Sequence, residues 1–273
     1  MSEMPLGRNT SYPKTYNPEV LFPIPRIDNR RRLGVHSEVL PFRGYDLWRA
    51  YEVSWLDLRG KPVVMLAEFM VPVHSPYMVE SKSFKLYLNS FNQTRFANPD
   101  DVRERLVSDL SGVAGAEVLV QLSSLSSVEE FGISLPQGES LDVLEIDIDC
   151  YQPDPALLRA DAATVVEETL YSDLFKSNCP VTGQPDWGTV VLRYHGPRID
   201  HAGLLRYLIS FRDHEGFHED CTEQIFCDLM ARCRPINLGI TLHFLRRGGL
   251  EIVPVRSTEP ALLDFPAARL IRQ

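Results

Sequence analysis

The chain has 273 residues, 44% of them hydrophobic and 24% charged, and its formal net charge is −9. That size fits one large domain or two modules, and the acidic balance argues against a nucleic-acid binder, which would show a basic face. No apolar run reaches the ~20 residues that cross a bilayer, and the opening MSEMPLGRNTSYPKTY has no apolar secretory core, so a cytoplasmic protein without membrane partners is expected.

Residues 1–40 are rich in Pro, Arg and Tyr and show no sustained period; they read as an extended arm that wraps something. YDLWRAYEVSWLDL and PVVMLAEFMVPV, joined by Arg59-Gly60-Lys61, predict a strand pair with a tight turn. A helix is predicted over about 81–91. Another opens at Asn98-Pro99, with Asn98 as cap and Pro99 at the first helical position. AEVLVQLSSL at 116–125 returns to strand character. The second half repeats this order: strands around VEETLYSDLF and GTVVLRYHG, helices over 201–211 and 218–232, then INLGITLHFL and LEIVPV joined by the hairpin signature Arg246-Arg247-Gly248-Gly249.

The halves also match in letters. ESKSFKLYLNSF from Glu80 lies 120 residues before DHAGLLRYLISF from Asp200, aligning Tyr87 with Tyr207, Leu88 with Leu208, Ser90 with Ser210 and Phe91 with Phe211. This predicts a tandem ββααββ module over about 40–135 and 160–257. The first half keeps the polar ESK helix start, whereas the second keeps the Cys179 loop and Phe217-His218-Glu219. A composite site between the modules is the economical expectation.

Several residues suit chemistry. Cys179 sits in NCPVTGQPDWG, where Pro and Gly define an irregular path that can bring Asp186 back towards the thiol. A thiolate is a nucleophile when a neighbour takes its proton, although a buried Cys beside a loop-capping Asp fits the same letters. His218 and Glu219 open a helix and diverge by about 100°. Glu219 can accept two hydrogen bonds from the N1–H and 2-amino edge of a guanine, or simply cap its helix. Glu80-Ser81-Lys82 offers a carboxylate, helix N–H groups and a Lys suited to phosphate, and also reads as a solvated helix start. Arg246-Arg247-Gly248-Gly249 offers guanidinium groups beside backbone a phosphate can approach; an exposed turn explains it almost as well.

Five cysteines, an odd number, point to reduced thiols. Cys221, Cys227 and Cys233 are spaced by six, which turns successive members about 240° on a helix. They share no face, lack a paired zinc motif and read as structural.

ESKSFKLYLNSF, KSNCPVTGQPDWG, SFRDHEGFHEDC and RRGGLEI closely resemble the motifs of the NADPH-dependent 7-cyano-7-deazaguanine reductases, the QueF-type nitrile reductases, in their long two-module form. The likeness covers nearly the whole chain, including YPKTYNPEVLFPIPR. It implies an α+β protein of tandem tunnelling-fold (T-fold) modules, each ββααββ, assembling into a barrel-like ring. The corresponding division is an N-terminal arm over 1–40, a first module over 41–135, a linker over 136–159 and a second module over 160–273. The implied reaction reduces the nitrile of 7-cyano-7-deazaguanine to 7-aminomethyl-7-deazaguanine with two NADPH, in the biosynthesis of queuosine in tRNA.

By match to the family motifs, Cys179 would attack the nitrile carbon to form a thioimide, with Asp186 as proton donor and His218 assisting. Val79, Glu80, Ser81, His218 and Glu219 would bind the deazaguanine. Ser81, Lys82, Arg247 and Gly248 would hold NADPH, and no metal is expected. The chain departs from the family after RRGGLEI, reading VPVRS where an Asn-Pro-aromatic sequence is usual, which touches the cofactor side of that hairpin only. Two modules make half a ring, so a homodimer is the simplest closure. The alternative reaction class is a zinc-dependent hydrolase resembling GTP cyclohydrolase I; the non-enzyme alternative is a binding protein built on a degenerate repeat.

Overall fold

The structure, a computed structural model, describes residues 7, 12–36, 39–126, 132–263 and 269–273; the remaining parts of the expected arm, of the first module's end and of the C-terminal segment lie outside the described residues. The class is α+β. The chain divides into two compact units that are not contiguous in sequence: Met1–Asp28, Tyr45–Glu130 and Arg246–Glu251 form one, and Asn29–Gly44, Phe131–Leu245 and Ile252–Gln273 the other.

In the first unit, β1 (Pro23–Pro25) pairs antiparallel with β4 (Tyr77–Val79), and β2 (Arg43–Leu56), β3 (Pro62–Pro72) and β5 (Leu119–Ser124) form a sheet in the order β5-β3-β2. The β2–β3 turn is tied by Asp57, whose Oδ1 accepts the N–H groups of Arg59 and Lys61 at 2.9 Å each. The helices here are α2 (Ser81–Ser90) and α3 (Pro99–Ala114). Asn98 caps α3 through the Asp101 N–H (2.9 Å), and Gly115 ends it at φ 71°, a left-handed cap. Val102, Leu106, Leu110 and Ala114 recur every fourth residue on its buried face.

In the second unit, β8 (Ala160–Asn178), β9 (Pro185–Ile199), β10 (Asn237–Phe244) and β11 (Leu250–Ser257) follow one another antiparallel, and β7 (Glu139–Ser140) adds parallel to β8. Its helices are α4 (His201–Ser210) and α5 (His218–Arg232), and β6 (Ile133–Ser134) pairs with β12 (Arg269–Leu270). Every residue of β11 and all but the first of β10 are buried, which explains their near-continuous apolar runs.

The 120-residue match is also a match of contacts. Tyr87 Oη donates to Asp109 at 2.6 Å, and Tyr207 Oη donates to Asp228 at 2.5 Å. Ser90 and Ser210 each return a hydroxyl hydrogen bond to the carbonyl of the aligned Tyr, both at 2.6 Å. The Tyr87–Phe91 and Tyr207–Phe211 rings meet edge to face at 5.2 and 5.4 Å. Identical letters at identical offsets thus build the same buried joint between consecutive helices twice.

Two expectations are corrected. The first module does not show the full ββααββ order: among the described residues a single strand, β5, follows α3 in its sheet. Residues 126–138, with two Glu, two Gly and Pro136, lack the alternation of a strand, and the short β6 pairs with β12 instead. The arm is not purely extended either. It contains α1 (Ile27–Arg32), whose Asp28 and Arg30-Arg31-Arg32 place acid at the start and base at the end, in accord with the helix dipole. Its extended part runs along α2, with the backbone N–H groups of Asn17 and Phe22 donating to Ser90 Oγ (3.1 Å) and Ser83 Oγ (3.0 Å). No described helix is long and apolar enough to cross a membrane.

The duplicated joint differs in one respect: Asp109 also accepts from Tyr16 of the arm at 2.5 Å. Tyr207→Phe should therefore lower stability by about 1–3 kcal/mol, the usual cost of orphaning a buried polar group. Tyr87→Phe should cost less because Asp109 keeps Tyr16; urea unfolding of the two variants measures the difference.

Candidate active site

Cys179, 3% exposed, follows the last residue of β8. Its N–H donates to Gln184 O and its carbonyl accepts from Gly183 N–H, both at 2.9 Å. Pro180 fixes φ just after the thiol, and Gly183 supplies the left-handed residue (φ 67°) that turns the chain back. The β8–β9 ladder then sets Asp186 opposite Ser177, two residues before the cysteine.

The start of α5 is bound to the same place. Asn178 N–H donates to His214 O (2.8 Å), and Gly216 N–H donates to Asn178 O (3.0 Å). Gly216 is needed for this close approach: a Cβ there would lie 2.9 Å from His214 Nε2 and 3.1 Å from Cys221 Sγ. Two residues later, His218 Nε2 stands 3.3 Å from Asp186 Oδ2. The imidazole is stacked on Phe244 at 3.8 Å and 13°, and its Nδ1 is buried without a hydrogen-bond partner among the described residues. Glu219 is also buried, at 5% exposure. The sequence thus anticipated an Asp–His neighbourhood at the thiol loop, but gave no sign of Phe244, which fixes the imidazole plane from the end of β10.

Cys221 and Cys233 are buried and Cys227 is half-buried, and all three are free. Burial pushes the thiols of Cys227 and Cys233 up to about 12 and about 11, so they stay protonated and apolar at neutral pH. Among the described residues, no group of three or more His, Cys, Asp or Glu is placed to hold a metal ion.

The other expected residues lie in the first unit. Val79 ends β4, and Glu80 is the N-cap of α2. Both Glu80 oxygens are engaged: Oε1 accepts Lys82 N–H at 2.6 Å and Oε2 accepts Ser83 N–H at 2.7 Å. Each oxygen keeps a second lone-pair direction for a ligand donor. Glu80 is 1% exposed, and burial raises its pKa above the ordinary 4.5 despite those backbone bonds. Lys82 Nζ donates to Tyr12 Oη (3.2 Å) and lies 4.9 Å over its ring, a partner in the arm that the motif alone did not reveal. Arg247 and Gly248 sit in the turn before β11. Gly248 has φ 59° and nothing within 4 Å of an added Cβ, so its backbone is open to a ligand.

A chain with a nucleophile, a coupled acid–base pair and two buried carboxylates belongs to the thiol enzymes acting on a polar heterocycle, and the comparisons specify which. Residues 12–122 match the family model described as nitrile reductase, 7-cyano-7-deazaguanine-reductase N-term, and residues 185–261 match that for QueF-like protein. A relative in Azoarcus sp. is 56% identical over 93% of this chain and 90% of its own length, and one in Stenotrophomonas maltophilia is 54% identical over 98% and 97%. A third, in Burkholderia multivorans, is 55% identical over 93% and 92%. All three are named NADPH-dependent 7-cyano-7-deazaguanine reductase. The chain belongs to this nitrile reductase family.

The Glu80 carboxylate carries a pH signature. A folded-state pKa above the unfolded one means that its contribution is fully present below about pH 4.5 and is lost as pH rises through the raised value. The stability of wild type relative to Glu80→Gln should therefore fall as pH rises from 4.5 towards neutrality. Urea midpoints of both proteins across that range check it.

Proposed function

We propose that the protein is an NADPH-dependent oxidoreductase that reduces the nitrile of 7-cyano-7-deazaguanine to the aminomethyl group through a covalent thioimide on Cys179. The observation that carries this reading is the buried Cys179 turn, hydrogen-bonded at its base to the segment that presents His218 to Asp186 at 3.3 Å. A nitrile is a weak hydride acceptor, and adding a thiol across it gives a more electrophilic C=N.

In the first step the Cys179 sulfur bonds the nitrile carbon. Asp186 accepts the thiol proton and delivers it to the nitrile nitrogen, so the step is balanced without outside reagents. His218 holds the Asp186 carboxyl through Nε2 and, fixed on Phe244, keeps it aimed through repeated proton transfers. NADPH supplies two hydrides in turn, one to the thioimide carbon and one to the imine carbon that remains after Cys179 leaves as thiolate. Two further protons complete the amine, relayed by the same Asp186–His218 pair. Closure of the pocket protects the imine from water.

Glu80 and Glu219 accept from the N1–H and 2-amino edge of the deazaguanine, with Val79, Ser81 and His218 beside it. The buried, partly neutralised character of Glu80 suits a neutral heterocycle. Ser81, Lys82, Arg247 and Gly248 hold the cofactor, and the open backbone at Gly248 with a lysine at the start of α2 fits a phosphate. The relatives' names favour this reductase over the GTP cyclohydrolase I-like alternative.

The product would enter queuosine biosynthesis in a reducing cytoplasm, a location supported by five free cysteines. Tandem T-fold modules closing into a ring as a homodimer are supported by open strand edges. In the first unit's sheet β5 pairs with β3 alone, and β8, 19 residues long, is covered on its outer edge only at Leu170–Tyr171. Light scattering should give twice the chain mass; a monomer at working concentration removes the ring.

Intact mass spectrometry after incubation with the nitrile and no cofactor should show one adduct on the wild type and none on Cys179→Ala. An adduct that persists in the variant removes Cys179 from its role. Asp186→Asn should lower NADPH oxidation, followed at 340 nm, by about 10²–10⁴-fold, the range of general acid–base catalysis.

A further inference from the structure

Resting on the cofactor reading above, we infer that Tyr51 on β2 is a positioning residue for cofactor binding, because it holds the Arg247–Leu250 turn from three directions. The turn is a two-residue hairpin: Arg247 N–H donates to Leu250 O (2.8 Å) and Leu250 N–H to Arg247 O (3.1 Å). Its central residues, Gly248 and Gly249, have φ 59° and 80°, the left-handed pair that such a turn requires. Two glycines contribute no side chain to pack, so the turn cannot fix its own position. A neighbour must do so.

Tyr51 supplies three contacts. Its backbone N–H donates to Gly249 O at 3.1 Å, its ring lies under the Arg246 guanidinium at 5.2 Å, and its hydroxyl donates to Glu251 Oε2 at 2.6 Å. Glu251, 1% exposed, stands at the foot of the turn, and its other oxygen accepts Arg49 Nη1 at 2.9 Å. Arg49 in turn donates to Glu68 on β3 at 2.7 Å. The phenol therefore belongs to a buried charged chain that ties the turn to two strands, and hydrogen bonds to a buried carboxylate are strong and directional. On the outer side Glu52 closes against Gly249, where a Cβ would lie 2.7 Å from its Cδ.

The arrangement separates two duties. Arg246 is occupied by the Tyr51 ring, which leaves phosphate recognition to Arg247 and the Gly248 backbone one and two residues on. A guanidinium binds phosphate well only from a fixed position, and a displacement of about 1 Å is enough to weaken it. Tyr51 thus acts through the turn on cofactor affinity, whereas addition of Cys179 to the nitrile needs no cofactor and none of these groups.

The test is steady-state kinetics of Tyr51→Phe, which keeps ring and backbone, and Tyr51→Leu, which loses the ring as well. KM for NADPH should rise about threefold in the first and about tenfold or more in the second. The kcat at saturating NADPH, KM for the nitrile and the yield of adduct without cofactor should stay within about twofold of wild type. An unchanged KM for NADPH in both variants overturns the role of Tyr51. So does a parallel loss of kcat, both KM values and adduct yield, which would mark a merely structural residue; Tyr51→Phe, the gentler change, decides if Tyr51→Leu does not fold. Wild type that forms the adduct but oxidises no NADPH overturns the cofactor reading itself, and the inference falls with it.

Discussion

Two backbone hydrogen bonds at Asn178 decide where the chemistry of this chain stands. Its N–H reaches His214 O and its carbonyl receives Gly216 N–H, so the end of β8 and the approach to α5 move as one piece. Cys179 follows on one side of this joint and His218 on the other, while the β8–β9 ladder sets Asp186 between them. Phe175 packs against Phe211 at 5.4 Å and Phe244 at 5.9 Å behind it, so the joint rests on the apolar core. Backbone bonds and ring packing supply the geometry, and the three polar side chains only have to supply the chemistry. That division is how a hairpin loop gains the precision usually found on rigid elements.

Buried charge performs a similar service elsewhere in the chain. In the second unit, Glu223 accepts Arg30 through both oxygens at 2.9 and 2.8 Å and also Arg256 at 3.0 Å, all three residues being buried. In the first, Arg26 pairs with Asp46 at 2.5 Å. Desolvation offsets most of the Coulomb gain of such pairs, yet removing one partner strands the other. They select one arrangement over its alternatives more than they add stability. Both Arg26 and Arg30 come from the arm, a segment with few apolar residues of its own to direct it.

Local pattern made most elements legible: the Asn98-Pro99 cap, the hairpin glycines and the fourfold spacing of α3 each carry their cause in neighbouring letters. The repeated Tyr–Asp joint was visible as aligned letters, because both copies use the same side chains at the same offset. The fourth strand of the first module was not legible, since symmetry with the second module suggested it and the intervening polar segment overrode symmetry. Helix α1 was hidden for the opposite reason: at six residues it is too short for any period to show, and its cue was charge order alone. At the site, Cys179, Asp186 and His218 could be named from the thiol loop and the helix start. The stacking of His218 on Phe244 joins residues far apart in sequence, and no spacing rule reaches that far.

The two copies of the module also provide an internal control for Glu80. At the aligned position the second copy has Asp200, exposed, accepting Ala202 N–H at 3.2 Å. Asp is among the preferred N-cap residues and Glu is not, because its longer side chain must fold back to reach the helix N–H groups. The first copy nevertheless uses Glu, buries it, and binds two backbone N–H groups with it at 2.6 and 2.7 Å. An exposed Asp would cap that helix without the desolvation that raises the Glu80 pKa. A residue that is the poorer choice for the helix and carries a burial cost its counterpart avoids is explained by a requirement outside folding. Accepting donors from a bound heterocycle, through lone pairs the helix leaves unused, is a requirement that a buried carboxylate meets and an exposed cap does not.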